Sequence, residues 1–179
     1  TMVTLHGRTT VELQARIRAA WGKFHQMWPL IGKKDGPLQK RLKLFDMTVT
    51  QTVLWGSESW NLTLNEKRHL RSTMHHMLRR IVGVGRSPEE LWVDWIKRAT
   101  RKACKEASHA GIRFWLQTHI KNKFLWAGHV VRMTEKRLAR RATEWRDNEW
   151  WKLEAETYAH LRLKRPGRTR WFRWEDDLR

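Results

Sequence analysis

Apolar residues recur along most of this chain at steps of three and four, the spacing of one face of an α-helix. From Thr9 to Trp28 the stripe is Leu13, Ile17, Ala20, Trp21, Phe24 and Trp28, with Arg16, Arg18 and Lys23 beside it. Thr10 is the expected N-cap. Pro29 is the expected end, because the residue before a proline is pushed out of helical geometry. Ile31 to Gly36 reads as a basic loop. Pro37 suits the first turn of a second helix faced by Leu38, Leu42, Phe45, Val49 and Val53.

The stretch from Trp55 to Gly83 carries the strongest local signals. Gly56 and Ser57 break the preceding pattern, and Trp60 closes a turn. Thr63 stands three residues before Glu66, the spacing of a capping box, in which hydroxyl and carboxylate each take the other residue's amide. Leu70, Met74, Met77, Leu78 and Ile81 then share a face, and Gly83 falls where a helix end favours a left-handed residue. Ser87-Pro88-Glu89-Glu90 predicts another capped start, followed by an apolar face of Leu91, Trp92, Trp95, Ile96, Ala99 and Ala103 and closed by Gly111. Ile112 to Met133 is predicted helical on a stripe of Ile112, Leu116, Ile120, Phe124, Ala127 and Val131, with a kink or close helix contact at Gly128 and His129. Leu138, Ala142 and Trp145 mark a short helix, and 148–163 a further one.

Residues 1–8 are expected to form an arm, 9–163 a helical domain divisible into sub-bundles 9–86 and 87–163, and 164–179 an extended basic, aromatic tail. No strand-rich segment, repeat or low-complexity tract stands out. The fold class is therefore all-α, an irregular bundle of about five to seven helices.

Charge changes the picture. The 179 residues hold 37 Lys and Arg against 18 Asp and Glu, a formal net charge of +19. So large an excess repels itself unless a polyanion offsets it, which makes nucleic acid the leading partner. Tryptophan, at 13 residues, is the second departure: most of these rings, at helical spacing, belong to core or interface, and some offer flat indole faces to bases. The lone Cys104 makes neither an intrachain disulfide nor a cysteine-rich zinc site, which fits a reducing compartment. No apolar run reaches the roughly 18 residues of a membrane span, and no signal peptide is visible. The chain opens on Thr1 rather than Met, as a processed or a trimmed chain would.

Several stretches also carry a resemblance. The run WGSESWNLT, with the basic helix that ends MLRRIVG, resembles the region just after the polymerase palm in reverse transcriptases of non-LTR (LINE-type) retrotransposons. FLWAGHVVRM (Phe124 to Met133) and RPGRTRWFRWEDDLR (Arg165 to Arg179) resemble two later segments of that family, and LHGRTTVELQARIRAAWGKF resembles its passage from palm to thumb. The order is the family's, and the matches cover nearly the whole chain. The resemblance implies a thumb-like helical region. The family's catalytic palm, with its paired aspartates on a hairpin, has no counterpart in these 179 residues.

The candidate nucleic-acid contacts fall in clusters. They are Lys33 and Lys34 in the loop; Lys40, Arg41 and Lys43 early in the second helix; Arg68, Arg71, Arg79 and Arg80 on the capped helix; and Lys97, Arg98, Arg101, Lys102 and Lys105 on the next. Arg137, Arg140 and Arg141 follow on the short helix, then Lys164, Arg165, Arg168, Arg170, Trp171, Arg173 and Trp174 in the tail. Guanidinium groups fork onto phosphates and stack on bases, and indoles do the latter. For Lys40, Arg41 and Lys43, at a helix start whose dipole they oppose, both a phosphate contact and plain solvation fit.

Catalytic chemistry is not expected. Asp176-Asp177, adjacent carboxylates of the kind two-metal catalysis uses, sit in a basic terminus beside Arg173 and Arg179. His75-His76 has no third ligand at metal spacing, His129 no catalytic partner nearby, and no glycine-rich phosphate loop precedes a helix. The expected function is non-enzymatic and cofactor-free: an RNA-binding structural component of a ribonucleoprotein. By analogy that assembly is an organellar, mitochondrial ribosome, with ribosomal RNA and neighbouring proteins as partners and no membrane or small-molecule substrate; nucleus and cytoplasm are the other homes. The alternatives are the nucleic-acid-gripping thumb of a working reverse transcriptase whose palm lies on another chain, and a DNA reader with one helix in a major groove.

Overall fold

The computed structural model describes residues 9–144, and every regular element in that span is helical. α1 (Thr9–Ile31) leads into α2 (Leu38–Phe45), which passes through a π-turn at Asp46–Thr50 directly into α3 (Gln51–Leu54). A 3₁₀ turn at Ser57–Ser59 precedes α4 (Leu64–Val82), and α5 (Trp92–His109), α6 (Trp115–Val131) and α7 (Leu138–Glu144) follow. The result is the irregular all-α bundle that the apolar periodicity predicts. The predicted arm at 1–8, helix at 148–163 and tail at 164–179 lie outside the described residues. The chain forms two compact units, one up to Asn122 and one from Lys123, with α5 in the first.

The first unit is built around α4. Its start is the predicted capping box: the Glu66 amide donates to Thr63 Oγ1 at 3.3 Å, and the Thr63 amide donates to Glu66 Oε2 at 2.7 Å. Its end is Gly83, at φ 66°, whose amide donates to Arg79 O at 2.9 Å. Leu70, Met74, Met77, Leu78 and Ile81 of α4 are buried in one cluster with Phe24 of α1, Phe45 and Val49 of the α2–α3 rod, and Trp115 of α6. Gly56, at φ 72°, makes the turn after which Trp60 is buried while Trp55 stays exposed.

α5 packs along α4 in the opposite direction. Trp95 Nε1 donates to Val84 O at 3.0 Å, and Arg79 Nη1 to Thr100 Oγ1 at 2.9 Å. The small residues Ala99, Ala103 and Ala107 face inward and let the two helices lie close. In the second unit, described from Lys123 to Glu144, the Met133 amide closes α6 on Val130 O at 3.0 Å, and Arg140 of α7 donates to Met133 O at 2.7 Å.

Several local expectations are overturned. Pro29 does not end α1: the helix continues to Ile31, and the Gly32 amide closes it on Trp28 O at 2.8 Å. Ile31 is fully buried there, and that burial outweighs the preference against helix before proline. Thr10 lies inside α1 rather than capping it, and donates to Glu66 Oε1 at 2.6 Å, which ties α1 to the start of α4. Ser87-Pro88 does not open α5, which starts at Trp92; Glu90 instead accepts Arg98 Nε at 2.7 Å and Nη2 at 2.6 Å. Leu91 and Trp92, assigned by sequence to the apolar face of α5, are exposed.

The α6 stripe is also corrected. The helix begins at Trp115 rather than Ile112 and is unbroken through Gly128. Its buried line is Trp115, His119, Lys123 and Val130, one position away from the predicted one, so Phe124 and Val131 are exposed. Trp115 sets this register. Its indole Nε1 donates to Thr50 Oγ1 at 2.9 Å, and its ring stacks on Phe45 with centroids 6.1 Å apart.

Candidate nucleic-acid interface

The predicted basic residues divide by what their side chains touch. Arg41 belongs to the scaffold. It is buried, and its Nη1 donates to Ile31 O and Ile81 O at 3.0 Å each, so one guanidinium closes the ends of α1 and α4 together. At 9% exposed it has little surface left for phosphate or solvent, the two readings its place at a helix start allows. The reason is the pair of carbonyls at the ends of α1 and α4, which its guanidinium serves.

Other arginines are partly committed. Arg98 is held by Glu90 and by Gly85 O at 3.0 Å. Its hydrogen bonds draw the Glu90 carboxyl below the usual range, and Glu90 in turn raises the guanidinium. Arg140 serves the Met133 carbonyl. Arg80 lies over the Trp28 ring at 5.3 Å and the Phe24 ring at 5.8 Å. Arg79 is half-buried against α5; burial lowers its pKa and raises that of the Cys104 thiol beside it.

Lys33, Lys34, Lys40, Lys43, Arg68, Arg71, Lys97, Arg101, Lys102, Lys105, Arg137 and Arg141 are exposed. Lys34 lies beside the end of α4, its Cε 3.4 Å from the position a Cβ of Gly83 would take. A cation there complements the helix dipole.

Two packed helices each carry a line of charge. On α4, Arg68, Arg71, His75 and Arg79 follow at steps of three and four, opposite the buried Leu70, Met74, Met77 and Ile81. On α5, Lys97, Arg101 and Lys105 follow at steps of four, away from Ala99, Ala103 and Ala107. Arg79, the last of the α4 line, donates to Thr100 and joins the two helices. The acid of α4 is Glu66, enclosed in its cap, and α5 carries Asp94 and Glu106. Cations therefore outnumber acids on both helices.

His75 is the member of the line that sequence reasoning misses. Its spacing, four residues from both Arg71 and Arg79, is the signal that marks it. The half-buried ring meets Phe114 edge-on at 6.1 Å. Burial, then repulsion from Arg71 and Arg79, pushes its imidazole below the usual histidine range. Burial, then Arg79 and Arg80, does the same to His76. In both, burial first and the neighbouring arginines second disfavour the charged imidazolium.

Arg137, Arg140 and Arg141 belong to the second unit. Lys164, Arg165, Arg168, Arg170, Trp171, Arg173 and Trp174 lie outside the described residues, as do Asp176 and Asp177. Among the described residues no group of three His, Cys, Asp or Glu is placed to hold a metal ion, and no helix is long and apolar enough to cross a membrane.

The chain is similar to a transposon-derived protein of Caenorhabditis elegans, 28% identical over 188 residues, an alignment that covers 99% of this chain and 56% of that protein. It thus spans about half the length of the curated relative it matches. No family model and no solved structure matches the chain. The similarity is consistent with a transposon origin and carries no assignment to a reverse-transcriptase thumb.

Proposed function

We propose that this chain is a non-catalytic module of a transposon-derived protein that grips the phosphate backbone of structured RNA through the α4–α5 surface. The observation that carries the reading is the pair of cationic lines, Arg68–Arg71–Arg79 and Lys97–Arg101–Lys105, one on each of two helices that pack together. Contacts of this kind position a backbone without reading its sequence. The assembly is a ribonucleoprotein in a reducing compartment, with RNA and neighbouring proteins as partners; an organellar ribosome is its home by analogy. A second reading, the thumb of a reverse transcriptase whose palm lies on another chain, is favoured by the order of WGSESWNLT, FLWAGHVVRM and RPGRTRWFRWEDDLR along the sequence.

The test is the salt dependence of binding to an RNA hairpin. Six phosphate contacts predict an affinity loss of about a thousandfold between roughly 50 and 200 mM salt. A loss below about tenfold overturns the backbone grip. Capture of the chain from its native source, with RNA sequencing and mass spectrometry, separates the two assemblies: ribosomal RNA with ribosomal proteins supports the first, and a palm-bearing polypeptide the second.

A further inference from the structure

The grip on α4 and α5 leaves a second surface unused, where α1 meets the other side of α4. Trp21 is half-buried there against the core, with His76 edge-on at 5.2 Å and His25 at 5.7 Å. Trp28, also half-buried, lies under the Arg80 guanidinium at 5.3 Å. Arg18, Gly22 and His25 are exposed and share this face of α1 at helical spacing. α1 carries no acid after Glu12, and α4 none after Glu66. The patch is therefore aromatic and cationic throughout.

Gly22 is the unexplained residue in it. Glycine is less favourable than alanine in the middle of a helix. A Cβ at Gly22 would meet nothing within 4 Å, so no neighbour in the fold requires its absence. The glycine leaves a bare notch only in the sense that the helix backbone lies open there, with Arg18 one turn before it, His25 one turn after, and Trp21 beside it in sequence.

We propose that this notch is a stacking site for an unpaired nucleobase, which lies over Gly22 against the exposed part of Trp21, with Arg18 and Arg80 on the flanking phosphates. Every base has a flat π-face, so the site has little sequence preference. Guanidinium planes and aromatic rings together are the chemistry by which single-stranded RNA segments are held. The site rests on the RNA-binding reading and goes beyond it: it selects RNA in which a single strand continues from a duplex.

Two RNAs test it, one hairpin with a blunt end and the same hairpin with a short single-stranded tail, by fluorescence anisotropy on the full chain. The wild-type chain is expected to bind the tailed RNA about tenfold more tightly. Gly22→Leu fills the notch from an exposed position with open space around it, and a thermal melt verifies that the fold is kept. This variant is expected to lose the tenfold preference and to hold the blunt hairpin as the wild type does. A Gly22→Leu chain that keeps the preference overturns the site, and so does one that loses affinity equally for both RNAs. A wild-type chain that binds both RNAs equally sinks the stacking site and leaves the backbone grip standing; one that binds neither sinks both.

Discussion

Replacing Arg41 by alanine separates scaffold charge from surface charge. The guanidinium serves Ile31 O and Ile81 O at 3.0 Å each, and both of those residues are buried. Each buried carbonyl left without a donor costs about 1–3 kcal/mol. Against this stands the relief of a desolvated guanidinium, whose Nε has no hydrogen-bond partner. The net expectation is a loss of about 3 kcal/mol. With a urea slope of about 2 kcal/mol/M, the unfolding midpoint falls by about 1.5 M and the slope stays unchanged. Circular dichroism in a urea series reads the midpoint, and RNA affinity is measured on the same sample without urea. Arg41→Ala is expected to bind as the wild type does while folded. Lys97→Ala, at an exposed position, is expected to do the reverse: unchanged midpoint, weaker binding. A midpoint shift below about 0.3 M together with a loss of affinity in Arg41→Ala refutes the reasoning and makes that side chain a phosphate ligand.

Thr63→Ala removes the acceptor for the Glu66 amide and is expected to destabilise the chain by about 1 kcal/mol, with Thr63→Ser close to wild type in a urea midpoint. Phe24→Ala empties a fully buried ring site that faces Phe45 at 6.3 Å, and is expected to cost about 3–5 kcal/mol in the same assay. The pH dependence follows from His75, whose pKa is depressed in the folded chain by burial and by Arg71 and Arg79. As pH falls through about 6.5 the unfolded chain takes up the proton first, so stability declines until the folded pKa is passed. His75→Gln flattens that decline in midpoints measured across the range, and an unchanged slope would count against the assignment.

α4 is the element most fully legible in the sequence, because everything that defines it lies within a few residues. Thr63 and Glu66 close their box without help, and Gly83 takes φ 66° at the last turn. The Leu70–Ile81 stripe was equally local. The periodicity of α6 points to the wrong face because its register is set from far along the chain. Trp115 is pinned by Thr50 and Phe45, and once it is pinned the i+4 positions that turn inward are His119 and Lys123, which a hydrophobic pattern passes over. Arg41 shows the same limit for the candidate site. Nothing in the run Lys40-Arg41-Leu42-Lys43 tells which cation turns inward until the carbonyls of Ile31 and Ile81 arrive beside it. The exposed lines on α4 and α5 were legible as charge, but their joining through Arg79 and Thr100 required the packing of two helices whose contact no local spacing encodes.

A π-turn is an α-helix that carries one residue more than its turn needs. In the α2–α3 rod that residue lies within Asp46–Thr50, and it rotates everything after it by about 100° relative to an uninterrupted helix. Val49 and Thr50 are both buried in consequence, and the Thr50 hydroxyl meets the Trp115 indole. Met47 is 72% exposed, yet deleting it would swing Val53 and Leu54 away from their places in the core cluster. The rod is thus constrained in length more tightly than in composition. Chains descended from the same ancestor are expected to vary here by substitution, and to tolerate neither a gap nor an insertion.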